Sequence, residues 1–260
     1  MDIKPQIAVL NDSAAPEESE RLIELARDLD LPIIDAADDS FNYVLVLREA
    51  KLGLQATTPP KKSPLSIDFL SGPVYYRFLH DRRISQPLAK AVGIKGGYRP
   101  SVLDGTAGFG EDGFVLASLG CSVTMIERSP IIWALLADAI SRAGEHRAIK
   151  TVFNRQVTLK LTDTIDYLSS CSGIHDTVYL DPMYPSTPKT ALNKQRMRTL
   201  RELVGDDSDG SELLSAALQG ARRRVAVKRP IRAVSLDGRE PSFVVTAKSC
   251  RYDVYLTPYL

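Results

Sequence analysis

Ser101-Val102-Leu103-Asp104-Gly105-Thr106-Ala107-Gly108-Phe109-Gly110-Glu111-Asp112-Gly113 is the stretch on which the fold turns. A short apolar run ends in an acid, then in glycines that let backbone turn sharply and come close to a ligand beside a helix N-terminus. The helix expected at 112–119 stops at Gly120. Gly108, Gly110 and Gly113 spell Gly-x-Gly-x-x-Gly, the dinucleotide fingerprint. Glu127 ends the next strand about twenty residues on, where an acid grips ribose hydroxyls. NAD and S-adenosylmethionine both carry those hydroxyls, so Glu127 alone leaves the two cofactors open. Asp104 before the glycines, with Glu111 and Asp112 after them, would repel a pyrophosphate but suit a sulfonium and an ammonium group. A tight strand-to-helix turn with solvent-facing acids is the plain alternative, and the position of Glu127 counts against it.

Downstream of this loop, apolar runs alternate with helical segments. Strands are expected at 101–104, 122–127, 157–161, 177–180, 224–227, 243–246 and 254–256. Helices are expected at 130–144, 165–168, 194–204 and 211–219, the first opened by Ser129 as N-cap and Pro130 at the first position. Such alternation builds a mostly parallel sheet covered on both faces. The last two strands have no helix between them, which makes an antiparallel edge hairpin. Upstream, short β-like stretches at 7–10, 43–47 and 66–69 surround a helix at 17–29, and the loop 57–64 is too rich in proline for regular structure. A helical connector at 85–92 stops at Gly93. The expectation is an α/β fold: a Rossmann-like domain at 85–260 preceded by a small α+β domain at 1–84.

Composition sets outer bounds. The 260 residues are 44% hydrophobic and 25% charged, ordinary for a globular chain. Net charge is +1, so any nucleic-acid site must come from local clusters. Cys121, Cys171 and Cys250 are scattered, as are His80, His146 and His175, and no metal-ligand spacing results. Neither a signal run nor ~18 consecutive apolar residues occurs. These features predict a cytoplasmic protein with no membrane or metal partner, and nothing in them calls for an oligomer.

Thr177-Val178-Tyr179-Leu180 runs into Asp181-Pro182-Met183-Tyr184-Pro185. Residues just past parallel strand ends line the ligand crevice. An acid followed by Pro-x-aromatic there is similar to the (Asn/Asp/Ser)-Pro-Pro-(Tyr/Phe) motif of enzymes that methylate exocyclic amines of bases. The chemistry accounts for the residue types. A base amine is a poor nucleophile because its lone pair is delocalised into the ring. Hydrogen bonds accepted from it by Asp181 and the Pro182 carbonyl would draw the nitrogen toward tetrahedral geometry, and Tyr184 would stack on an unstacked base. A strand-ending Asp-Pro turn with a half-buried tyrosine is the structural alternative.

Basic residues flank this motif. Lys189, Lys194, Arg196, Arg198 and Arg201 follow it, and Arg222, Arg223, Arg224, Lys228, Arg229 and Arg232 bracket the expected fifth strand. Phosphate contacts are expected from Lys189, Lys228 and Arg229, with Arg77 adding a contact from upstream; a solvated helix face is the alternative for the first cluster. Asp163 and Thr164, just past the third strand, are candidates for the adenine of the cofactor.

Several motifs in one order carry a resemblance. Residues 89–96, 104–110, 115–121, Glu127-Arg128, 178–185, Val227-Lys228-Arg229-Pro230 and 251–255 resemble the RsmJ family, most strongly from Asp68 onward. The resemblance implies a class I S-adenosylmethionine-dependent methyltransferase acting on guanine N2 of small-subunit (16S) ribosomal RNA. By position it implies cofactor contacts at Glu111, Asp112, Glu127, Arg128, Asp163, Thr164 and Asp181, beside Asp104, Gly108 and Gly110 of the loop. Glu111 stands where the family usually has arginine, and Asp163-Thr164 replaces a pair of small hydroxyl residues. Methylation of DNA or another RNA, and an NAD-dependent oxidoreductase, are the rival readings.

Overall fold

The computed structural model describes residues 5–36, 38–58, 63–81, 83–182, 191–204 and 209–258. In chain order its elements are β1 (Ile7–Leu10), α1 (Pro16–Asp28), β2 (Ile33–Ile34), β3 (Tyr43–Arg48), β4 (Lys51–Ala56), α2 (Gly72–His80), α3 (Pro87–Val92), β5 (Ser101–Asp104), α4 (Glu111–Ser118), β6 (Ser122–Glu127), α5 (Pro130–Glu145) and α6 (Lys150–Gln156). There follow β7 (Val157–Leu161), α7 (Thr164–Ser170), β8 (Thr177–Leu180), α8 (Ala191–Val204), α9 (Gly210–Gly220), β9 (Arg224–Arg229), β10 (Phe243–Thr246) and β11 (Arg251–Leu256).

These elements form two compact units. The smaller gathers the described residues within Met1–Asp68, Ser129–Arg142 and Pro188–Gly205. Among the described residues its sheet has the order β2-β1-β3-β4, parallel about β1 and antiparallel between β3 and β4. Glu49 and Ala50 turn the β3–β4 hairpin with φ of 52° and 59°, the double positive φ of a two-residue turn that matches strand twist. The sequence reading missed β4 because neither residue is the Asn, Asp or Gly that announces such a turn. The strand expected at 66–69 does not form. Instead Leu65 makes an isolated antiparallel bridge to Leu54, and Ile67 is buried in irregular chain.

The larger unit begins at Phe69 and takes in the remaining described residues, with α2 among them. Its sheet runs β10-β11-β9-β8-β5-β6-β7. Neighbours from β9 to β7 are parallel, while β11 is antiparallel to both β9 and β10. Here the expected edge hairpin is found. The chain moves outward from β5 to β6 and β7, then crosses back to β8. That reversal creates a switch point, and in open parallel sheets ligands bind outside the C-terminal strand ends at such a point.

Two apolar layers cover this sheet. Leu103, Ile126, Val178, Leu180, Val225 and Val227 join Leu168 of α7 and Leu213, Leu214 and Ala217 of α9 in one core. Met125 precedes Ile126 on β6 and therefore points to the opposite face, where its Cε would lie 2.4 Å from a Cβ added at Gly113 of α4. Gly113 thus leaves the room that Met125 fills between α4 and the sheet. The aromatic cluster of Phe69, Phe78, Phe114 and Phe153 brings α2, α4 and α6 together, with Phe114 stacked at 5.0 Å on Phe69 and 5.2 Å on Phe153. Helices α2 and α6 were not expected, since both are short and mix strong helix formers with aromatic and β-branched residues.

Candidate active site

The glycine loop is built as its sequence requires. Gly108 and Gly110 take φ of 52° and 72°, values that side chains rarely adopt, and Gly110 opens α4. The Gly108 N–H donates to Glu127 Oε2 at 3.0 Å, so the loop and the acid ending β6 are joined. Neighbouring strand ends are tied in the same way. Thr164 Oγ1 donates to the Gly105 carbonyl at 2.6 Å, and the Asp181 N–H donates to Thr106 Oγ1 at 2.6 Å.

Among the acids at this end of the sheet, Asp104, Asp112, Glu127 and Asp181 line the crevice side of β5, α4, β6 and β8. Lys228, on β9, donates to Asp112 Oδ2 and to Asp181 Oδ2, both at 2.8 Å. The Tyr179 hydroxyl donates to the same Asp112 oxygen at 2.6 Å. Asp104 is buried. Burial, followed by the charges of Asp112 and Asp181, pushes its carboxyl up to about 8. For Asp112 burial also works upward, but the charge and hydrogen bond of Lys228, with the Tyr179 hydroxyl, outweigh it and leave that carboxyl below its ordinary range. Burial lowers Lys228 and the two acids more than reverse this, so its ammonium is held charged. Burial and the surrounding acids raise Tyr179 well above the usual phenol, so it acts as a donor.

The remaining expected residues divide by what their side chains touch. Asp163 caps α7 by accepting the Ile165 N–H at 2.7 Å. Arg128 pairs with Asp209 at 2.8 Å. Glu111 is exposed on the first turn of α4. Arg77 donates to Gln86 Oε1 at 2.8 Å, and its charge reaches Asp112. Pro182 is buried just past β8. Tyr184 and Lys189 lie outside the described residues.

Two basic residues expected on RNA have other occupations. Lys228 is turned into the acid cluster. Arg229, next on the strand and so on the other side, is buried and donates through Nε and Nη2 to the Val234 carbonyl at 3.2 and 2.7 Å. Arg222 and Arg223 precede β9 and face Asp176 at 3.9 and 3.6 Å, at the sheet end opposite the crevice. Sequence reasoning passed over Tyr179 as a functional group. Its spacing of two from Asp181 puts both on one side of the strand, which was the available signal.

Comparison with known proteins agrees with this fold. The family model for SAM-dependent methyltransferases matches residues 24–257. Ribosomal RNA small subunit methyltransferase J of Thioalkalivibrio sulfidiphilus is 46% identical over 246 residues, covering 94% of this chain and 96% of the relative. This chain belongs to the RsmJ family. A Pseudomonas syringae member of that name is 44% identical over 237 residues, covering 91% and 87%. The crystal structure of a SAM-dependent methyltransferase from Neisseria gonorrhoeae superposes with a TM-score of 0.75 at 31% identity, covering 96% of each chain.

The cofactor of the RsmJ family is S-adenosylmethionine, and the residues present fit it. Its ribose is a diol, suited to the buried Glu127 carboxylate. Its sulfonium and ammonium are cations, suited to a crevice where acids outnumber Lys228. A pyrophosphate would meet those acids as like charge, which disfavours a dinucleotide. Among the described residues there is no metal-binding group of three His, Cys, Asp or Glu side chains, and no helix long and apolar enough to cross a membrane.

Proposed function

We propose that this chain methylates the exocyclic N2 amine of a guanine in small-subunit (16S) ribosomal RNA. The observation that carries the reading is Asp181: its carboxylate stands at the switch-point end of β8, anchored by Lys228 at 2.8 Å, with its own N–H on Thr106 at 2.6 Å. The names of relatives that share 42–46% of their residues with it supply the substrate class.

Bound S-adenosylmethionine supplies an electrophilic methyl carbon on a sulfonium. Glu127 holds the ribose and the glycine loop lets backbone approach the cofactor, while Asp112 and Asp181, two carboxylates against the single charge of Lys228, complement its positive charge. Asp181 and the Pro182 carbonyl accept the two N–H bonds of the guanine amine and turn its lone pair toward the methyl group. As the N–C bond formed, the bond from the methyl carbon to sulfur would break and leave the neutral thioether S-adenosylhomocysteine, while the nitrogen became more acidic and passed one proton along the hydrogen bond to Asp181. Orientation and charge placement carry the rate, so a strong base is not required. Tyr184 stacks on the guanine, and Arg77 and Lys189 hold flanking phosphates.

The test is transfer of labelled methyl to small-subunit rRNA, free and in assembled subunits, from cells lacking this gene, with the product nucleoside identified by mass. Labelled N2-methylguanosine, falling about 10³-fold in rate with Asp181→Ala, is expected. A methylated adenine or a DNA product would replace the guanine assignment. Full activity without the Asp181 carboxylate would remove the mechanism.

A further inference from the structure

We propose that Lys228 is a positioning residue for methyl transfer, an internal strut that fixes the direction in which Asp181 presents its carboxylate to the acceptor amine. The inference rests on the assignment of Asp181 as the group that receives the amine.

The Asp181 side chain is 41% exposed, and its two side-chain bonds keep one direction only under a directed hold. Lys228 supplies the hold, with Nζ at 2.8 Å from Asp181 Oδ2. The ammonium is itself immobilised. It reaches Asp112 Oδ2 at the same distance, and that oxygen also receives the buried Tyr179 hydroxyl at 2.6 Å. A chain of three hydrogen bonds therefore runs from the interior of β8, through α4 and β9, back to the exposed end of β8. The backbone of Asp181 is fixed separately by Thr106. Charge-assisted hydrogen bonds of this kind are the stronger ones, and low surrounding polarity strengthens them further.

A lysine at a strand end beside a nucleic-acid site is read most simply as a phosphate contact. Its directed bonds argue otherwise, because an ammonium held by two carboxylates has had its charge neutralised before a phosphate arrives. The groups facing Lys228 are Asp112 of α4, Tyr179 and Asp181 of β8 and its end, Asp104 of β5, and Cys250 and Tyr252 at β11, with Arg77 of α2 acting on Asp112. Acids predominate in that set. Removing the lysine leaves the carboxyls repelling one another, so each takes its proton at higher pH and the acid limb of activity moves up.

The experiment uses the full chain with Lys228→Met and Lys228→Ala, S-adenosylmethionine, and small-subunit rRNA from cells lacking the gene. Expected for Lys228→Met is a fall of about 100-fold in kcat, little change in KM for RNA, and an acid limb of kcat/KM shifted to higher pH. S-adenosylmethionine should bind this variant as tightly as the parent or more tightly by calorimetry, because a competing cation has gone from beside the acids; a merely structural loss would weaken it. Ethylammonium at constant ionic strength should restore part of the Lys228→Ala activity, and sodium should not. Raised KM for RNA with unchanged kcat would make Lys228 a phosphate contact and overturn the proposal. Should the methionine variant fail to fold, an alanine variant that ethylammonium leaves unrestored overturns it as well. Activity retained in Asp181→Ala would instead sink the reading beneath it, whereas an inactive Asp181→Ala beside a fully active Lys228→Met would sink this inference alone.

Discussion

Two clusters of carboxylates, one in each unit and each centred on a buried aspartate, are built to opposite charge ratios. In the smaller unit Asp138 of α5, 2% exposed, receives Arg21, Arg142 Nε at 2.8 Å and the Leu52 N–H at 3.3 Å, while Asp68 takes Lys51 at 2.8 Å and Arg142 at 3.6 Å. Two acids there meet three bases. In the larger unit Asp112 and Asp181 share Lys228, and the buried Asp104 feels all three charges. The first cluster ties a helix to a hairpin and leaves no acid in surplus. The second has a carboxyl pushed up to about 8 by burial and by its acidic neighbours. A fold that needs charge only for cohesion matches its acids. An uncompensated surplus costs stability and marks the place where a cationic ligand belongs.

The sharpest way to break this comparison is to remove the hub of the matched cluster. Asp138→Ala takes from the half-buried Arg142 its main partner and should cost about 3 kcal/mol of stability in urea unfolding. Affinity for S-adenosylmethionine should hold in the folded fraction; its loss would mean that the two clusters are not separate in purpose. Glu127→Gln keeps an acceptor for the Gly108 N–H and removes the charge. Calorimetry should find a cofactor affinity lower by about 2 kcal/mol, roughly 30-fold, with the unliganded melting temperature nearly unchanged.

Asp104→Asn tests the surplus through pH. The folded carboxyl titrates at about 8 against an ordinary 3.8, so the folded chain binds the proton more tightly. Its contribution to stability is whole below about pH 4 and is lost as pH rises toward 8. Asparagine does not titrate. The melting temperature of the variant relative to the parent should therefore climb by several degrees between pH 5 and pH 8; a flat difference would deny the surplus. Smallest of all, Arg128→Ala breaks a partly exposed pair with Asp209 and should change stability by no more than about 1 kcal/mol.

Much of this could be read from the chain because the signals were local. The glycine loop, the acid after β6, the Asp-Pro after β8 and the helixless pair β10 and β11 each depend on a few adjacent residues. The β3–β4 turn escaped because Glu49 and Ala50 are held in positive φ by the paired strands rather than by their own preference. The Lys228 strut escaped because its partners lie 116 and 47 residues away, and only the assembled sheet brings them together. Lys228 and Arg229 were both expected at RNA, and because adjacent strand residues face opposite ways they lie on opposite sides of β9.

The side-chain ties among the strand ends have a thermodynamic consequence. Thr164 holds Gly105, Thr106 holds Asp181, and Glu127 holds Gly108, so three loops of the crevice are moored to one another before any ligand arrives. Ordering such loops on binding would cost about 1 to 2 kcal/mol for each residue fixed. With the moorings in place, the entropy given up on docking belongs mainly to the small molecule, and spent donor can be exchanged for fresh without these loops having to be rebuilt at every turnover.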